Sequence, residues 1–294
     1  MSHQLHQLSF GRAKIFTLVR NFVLMKVLSR QSAIHLRSAK PQLAVYAFDH
    51  GAHIINLDGH YEAAELECIA AWLAAHNLDT GAAIDVGANI GNHTLYFSKL
   101  FSKVFAFEPD PLHFQLLRFN TRDSAGVYCY NFGLSDRTAK APFVHESTRI
   151  VSEVNAAEAN MTIDLKAMDD LPEISASKIT LIKIDVEGHE LQVLNGAKKT
   201  IERNFPIIIF EQSADDFRNG TSSVIECLKS IGYKRFASVE RSGRSSSHLP
   251  RVLRIPFTFV RLVLTGYNYE IRELDVFEAR FYQMLVAIPS GKGI

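Results

Sequence analysis

The sequence predicts an α/β fold: a mostly parallel sheet of seven strands, with helices on both faces and a helical extension in front. Three observations predict it. Short, almost wholly apolar runs recur along the chain, as strands buried on both faces require. Stretches of helical period separate them, the alternation that winds a parallel sheet. The 294 residues, 47% hydrophobic and 21% charged, have the size and composition of a globular protein with one large core.

The chain opens on a basic arm, residues 1–58. Up to Phe48 it contains no Asp or Glu, while Arg12, Lys14, Arg20, Lys26, Arg30, Arg37 and Lys40 give seven positive charges. Taking those seven from the formal +1 of the whole chain leaves −6 for the rest. Arg20 and Lys26 interrupt the apolar residues far short of the roughly 18 that a membrane span needs, and they argue against a secretory signal. The arm reads as a helix that docks on the core or makes peripheral contact with an anionic membrane surface. Cys68, Cys129 and Cys227 are widely separated, so neither a disulfide framework nor a zinc site is expected, which suits a cytoplasmic protein.

The core spans 59–240. Residues 62–76 carry Leu66, Ile69 and Leu73 at helical spacing. Strands are expected at 82–86, 104–107, 127–130, 181–184, 207–210 and 234–238, and helices at 92–100, 111–123, 190–203 and 222–231. An extra strand near 161–165 falls between the third and fourth. Residues 241–278 form an insertion and candidate substrate lid, and 279–294 supply the last strand and a tail.

Ligands in open α/β sheets bind beyond the carboxyl ends of the strands, and polar residues gather there. The first strand runs through Ile84-Asp85-Val86 into Gly87-Ala88-Asn89-Ile90-Gly91 and then a helix. Gly87 makes the turn and Gly91 lets the helix approach the sheet. A dinucleotide loop wants glycine where Asn89 stands. S-adenosylmethionine, which has an amino acid end and no phosphate, suits Asp85 and Asn89 better. Glu108 ends the second strand 21 residues after Gly87, close to the ~20 expected of a carboxylate that binds ribose hydroxyls. After the third strand, Asn131 or Asp136 could bond an adenine and Leu134 could cover its face.

The fourth strand ends in Lys183-Ile184-Asp185-Val186-Glu187-Gly188-His189-Glu190, and the fifth in Glu211. Carboxylates at three strand ends on one edge (Glu108, Asp185, Glu211) point to a shared site. Asp185 or His189 is expected to orient or deprotonate an acceptor hydroxyl, with Glu187 and Glu211 in support. The same carboxylates could instead take Mg²⁺.

As an ordered set, Asp-Val-Gly-Ala-Asn-Ile-Gly at 85–91, Phe-Glu-Pro at 107–109, Gly-Leu-Ser-Asp at 133–136 and Ile-Asp-Val-Glu-Gly-His-Glu at 184–190 resembles the FkbM family of methyltransferases. Gly59-His60-Tyr61-Glu62 fits that family's lead-in helix, and the resemblance covers roughly 54–212. It implies a class I methyltransferase (Rossmann-like) sheet with its last strand antiparallel, S-adenosylmethionine as cofactor, and O-methylation of a small hydroxylated substrate: a sugar, glycolipid or polyketide-like molecule. It also implies that Asp85, Gly87, Asn89 and Glu108 hold the cofactor and that Asp185 lies beside the methyl group. The competing readings are a nicotinamide-dependent oxidoreductase and a non-catalytic, membrane-associated binding protein. Nucleic acid is not an expected partner, because the body is acidic and no base-flipping motif is present.

Overall fold

The structure is a computed structural model that describes residues 15–38, 42–47, 50–76, 80–144, 149–150, 159, 161–242 and 268–289. The chain divides into two units, Met1–Tyr61 and Glu62–Ile294.

In the first unit, α1 (Ile15–Ser38) is joined to α2 (His50–Asp58) by the Gln31 amide, which donates to the Leu57 carbonyl, and by a 2.9 Å contact between His35 Nε2 and the Asn56 carbonyl. No acid occurs in α1, and Phe16, Leu18, Phe22, Leu24, Met25 and Leu28 are all more than half exposed. At 100° per residue these positions surround the helix, where a single apolar stripe would mark docking along one face. Among the described residues, no helix is long and apolar enough to cross a membrane.

The second unit contains α3 (Ala63–Ala75), β1 (Ala82–Val86), α4 (Asn92–Phe97), β2 (Lys103–Phe107), α5 (Pro111–Thr121) and β3 (Val127–Tyr130). Next come β4 (Gly133–Ser135), β5 (Ala139–Val144), β6 (Arg149–Ile150), β7 (Met161–Ala167), α6 (Pro172–Ser175) and β8 (Ile179–Ile184). It ends with α7 (Glu190–Gly196), α8 (Lys198–Asn204), β9 (Ile207–Gln212), α9 (Ser223–Ile231), β10 (Arg235–Ser242), β11 (Asn268–Glu273) and β12 (Tyr282–Ile288).

The large sheet has the order β11-β10-β12-β9-β8-β1-β2-β3. Strands β3, β2, β1, β8 and β9 run parallel, and β12 runs antiparallel to both β9 and β10. This is the class I methyltransferase arrangement with an eighth strand added at the edge. That strand, β11, pairs antiparallel with β10 and comes from the segment expected only as an insertion.

Strand alternation sorts the core by face. Ile84, Phe107, Ile182, Ile208 and Phe210 pack with Leu194, Ile201, Ile225 and Leu228 of α7, α8 and α9. Ala83, Val104, Leu181, Ile207 and Ile209 pack with Leu66, Ile69 and Leu73 of α3 and Phe97 of α4. Helices therefore cover both faces.

Two local results differ from the sequence expectation. The single helix expected over 190–203 breaks at Ala197, because Gly196 presses against β4: a Cβ there would lie 1.9 Å from the Ser135 carbonyl oxygen. The stretch after β3, read in sequence only for adenine contacts, contributes β4 to a second sheet of order β4-β7-β5-β6. Of that sheet only the strand near 161–165 was visible in sequence.

Candidate active site

Strand order reverses between β1 and β8: the chain leaves β1 toward β2 and β3 on one side and leaves β8 toward β9 on the other. A crevice opens at such a switch point, and the polar strand ends converge on it. Gly87 turns the chain at φ +75°, and a Cβ there would lie 1.9 Å from the Asp185 carbonyl oxygen. The glycine loop and the Asp185 backbone are therefore in direct contact.

Asn89 follows in the left-handed region at φ 49°, a conformation that asparagine tolerates better than most residues. Its N–H donates to Glu108 Oε2 at 2.8 Å, and the Asp110 N–H donates to Glu108 Oε1 at 2.9 Å. Glu108 is thereby clamped between the two turns at 5% exposure. Burial pushes its carboxyl up to about 7, against the lowering effect of those two N–H groups. Gly91 caps the start of α4.

Behind the loop, β1 and β8 pair so that Asp85 stands opposite Lys183. Asp85 is fully buried. Its Oδ2 accepts the Thr94 hydroxyl at 2.6 Å, and its Oδ1 lies 3.6 Å from Lys183 Nζ. Lys183 also reaches Asp185 Oδ2 at 3.1 Å and donates to the Gly87 carbonyl at 3.5 Å. Asp185 remains about one-third open, and it shares a hydrogen bond with Glu211.

Burial alone would raise the Asp185 carboxyl, but the Lys183 ammonium and the bonds from Glu211 and Lys183 hold it well below the usual range. Burial and the adjacent Asp185 charge push Glu211 well up. The two shifts are opposed, so within this hydrogen-bonded pair Asp185 is the more acidic partner. Glu187, at φ 52°, brings a third carboxylate: one oxygen from each of Asp185, Glu187 and Glu211 lies within 4.8 Å of the others.

A further group completes the wall. Glu62 Oε2 lies 2.8 Å from His93 Nε2, and Gln283 of β12 donates to Glu62 Oε1. Glu62, His93, Gln283, Lys183, Asp185 and Glu211 line a cavity with room for about one water molecule.

A family model described as the methyltransferase FkbM domain matches residues 85–235, from the glycine loop to the start of β10. The chain belongs to the FkbM methyltransferase family. Among its relatives, the hexuronic acid methyltransferase AglP of Haloferax volcanii is 36% identical over 139 residues, which cover 45% of this chain and 56% of that protein. Methyltransferase sdnD of Sordaria araneosa is 27% identical over 172 residues, 44% of this chain and 66% of that protein. The crystal structure of the methyltransferase FkbM from Methylobacillus flagellatus aligns with 74% of this chain and 55% of its own, at 20% identity and a TM-score of 0.37. The chain thus spans 56% to 66% of the length of these two curated relatives. Membership places the chain among methyltransferases rather than nicotinamide oxidoreductases.

Within this FkbM domain the expected site residues separate into groups. Gly87, Asn89, Gly91 and Glu108 form one continuous rim, and Asp185, Glu187 and Glu211 form another beside it. Asp85 stands behind the rim. Asn131 donates its amide to the carbonyls of Glu108 and Pro109, at 2.8 and 3.1 Å, and so braces the β2 turn. It also borders a groove lined by Pro111, Phe114 and Arg118. Leu134 lies in the main core at 2% exposure. His189 turns toward β4, where a ring nitrogen lies 2.9 Å from Ser135 Oγ, and burial holds its pKa below the ordinary value. Sequence reasoning missed His93 and Gln283. The Asn92-His93-Thr94 stretch directly after the loop offered a signal for His93; none marked Gln283.

Proposed function

We propose that the chain transfers a methyl group from S-adenosylmethionine to a hydroxyl of a sugar or a related small, hydroxylated molecule. The contact of Gly87 with the Asp185 backbone carries this reading, because it sets a cofactor loop and a bare carboxylate on one edge of the switch point. The residues present suit the cofactor. Glu108 would accept hydrogen bonds from the ribose diol, using lone pairs left over from its two N–H partners. The groove between Asn131 and Phe114 would take the adenine. Asp85 would act from behind, holding the loop through Thr94 and Lys183. When bound, S-adenosylmethionine supplies an electrophilic methyl group.

The protein's task is then to hold an acceptor oxygen in line at about 3 Å and to receive its proton. Asp185, ionised and partly open, would accept that hydrogen bond, and the proton would pass to it as the new O–C bond forms. Glu211, its carboxyl pushed well up, would serve as a donor; Glu187 would border the acceptor. Asp185 is engaged by Lys183 and Glu211, so this arrangement favours proton handling over Mg²⁺, and activity should survive EDTA. The relative named for hexuronic acid directs the choice of acceptor toward sugars.

The test is methyl transfer from labelled S-adenosylmethionine to a panel of glycosides that includes hexuronic acids. Asp185→Asn should abolish turnover, while calorimetric affinity for S-adenosylhomocysteine is kept. Full turnover in that variant would remove Asp185 from the role.

A second reading concerns α1. Its charge carries this reading: Arg20, Lys26, Arg30 and Arg37, with no acid, suit electrostatic contact with an anionic bilayer surface, and apolar residues are exposed beside them. Sedimentation with phosphatidylserine vesicles should depend on residues 1–41 and weaken with salt. Equal binding to neutral vesicles would refute the electrostatic part.

A further inference from the structure

We propose that Lys183 is a positioning residue for methyl transfer: its ammonium, lodged between Asp85 behind the glycine loop and Asp185 at the open edge, fixes Asp185 as the bare carboxylate that meets the acceptor. This rests on the function proposed above and assigns a part to a buried cation that the reaction as described does not otherwise use.

The geometry starts in the strand register. Lys183 is paired with Asp85 across β1 and β8, so their side chains share a face, and Asp185, two residues further on, lies on the same side. The lysine side chain is only 8% exposed. A buried ammonium needs an opposite charge, and the fully buried Asp85 at 3.6 Å provides one. Burial therefore does not demand a second carboxylate. Yet the shorter contact, 3.1 Å, goes to Asp185, which is still partly open to the crevice. The third contact, to the Gly87 carbonyl, ties the same ammonium to the turn of the cofactor loop. One charge thus links the three parts that must be aligned for transfer.

Its electrostatic effect follows from the neighbours. Glu211 faces Asp185 from β9, and Glu187 and Glu190 lie near it at the turn into α7; His93 of α4 favours its ionised form, and Glu62 faces Lys183 from ahead of α3. Asp185 and Glu211 share a hydrogen bond, and Lys183 contacts Asp185 directly. The ammonium therefore decides which carboxyl is bare. The reaction is sensitive to that choice. As the acceptor O–H bond breaks, its proton passes to Asp185; the O–CH₃ bond forms, and the S–CH₃ bond breaks with its electron pair left on sulfur. An Asp185 that already held a proton could not receive another.

Lys183→Met and Lys183→Arg test this by kcat at saturating cofactor between pH 5 and 9, beside calorimetric affinity for S-adenosylhomocysteine. Wild type and Lys183→Arg should show no loss assignable to Asp185 as pH falls. Lys183→Met should gain an acidic limb, losing at least about tenfold more activity at pH 6 than at pH 8.5, while its product affinity varies with pH as the wild type's does. If Lys183→Met does not fold, Asp85→Asn/Lys183→Met removes one charge of each sign and is read in its place. A parallel loss at every pH, or the same limb in Lys183→Arg, would overturn the proposal and leave Lys183 as a scaffold. No turnover in the wild-type protein with any acceptor would instead count against the proposed function.

Discussion

The contact between Gly87 and Asp185 makes a quantitative prediction because the molecule contains its own control. Gly87 and Gly188 both have positive φ, +75° and +93°, so alanine at either position meets the same kind of backbone strain. That strain is about 1–2 kcal/mol for a residue bearing a Cβ. Only at Gly87 does the new carbon collide, at 1.9 Å from a backbone oxygen; at Gly188 nothing lies within 4 Å. Overpacking against atoms that cannot rotate away adds about 1–3 kcal/mol. Gly87→Ala should therefore lose about 2–5 kcal/mol and Gly188→Ala about 1–2 kcal/mol. With an m-value of about 2 kcal/mol per M in urea, the midpoints should fall by about 1–2.5 M and 0.5–1 M. Activity should separate the two further, since a shift of about 1 Å at Asp185 can cost about 10²-fold in rate. Urea unfolding and methyl transfer by the two purified variants would decide the matter. Equal losses of stability and rate would show that the loop is not held against Asp185 and would refute the reasoning.

Two further outcomes follow from the same geometry. Burial pushes the Glu108 carboxyl up to about 7, and the ionised form offers the ribose diol more acceptors than the neutral one. Affinity for S-adenosylhomocysteine should therefore rise by up to about tenfold from pH 6 to pH 8. The unliganded fold runs the other way, losing the part of its stability that depends on protonated Glu108 as pH rises through the same range; calorimetry with Glu108→Gln as control checks both signs. Ser222, at 2% exposure, caps α9 by accepting the Ile225 N–H and donates to Gln212 Oε1 at 2.5 Å. Ser222→Ala should lose about 1–2 kcal/mol in urea unfolding, and a change under 0.3 kcal/mol would contradict the cap.

The centre of the large sheet was legible because β1, β2, β8 and β9 are buried almost throughout, so each appears in sequence as a mainly apolar run with an acid at or just past its end. That same abruptness made Glu108, Asp185 and Glu211 visible. What it could not convey is depth. Asp85 has the same signature, yet its side chain lies wholly behind the loop, since the pleat decides which side a carboxylate takes. The Glu62–His93–Gln283 group escaped notice because Glu62 and Gln283 are 221 residues apart and meet only once β12 is inserted beside β9. The break at Ala197 has a tertiary cause, the approach of Gly196 to Ser135, so helical periodicity passes through it unmarked. The three-residue strand β4 is too short to show alternation.

The rung that joins Ser242 to Asn268 has a consequence for how such a protein can diversify. Ser242 and Asn268 are direct partners in the antiparallel pairing of β10 and β11, so the two ends of the intervening sequence are fixed at one step of the sheet. Closing an excursion of this kind depends only weakly on length, about 0.6 kcal/mol for each doubling. The number of residues between these two partners is therefore only weakly constrained by the pairing of β10 with β11.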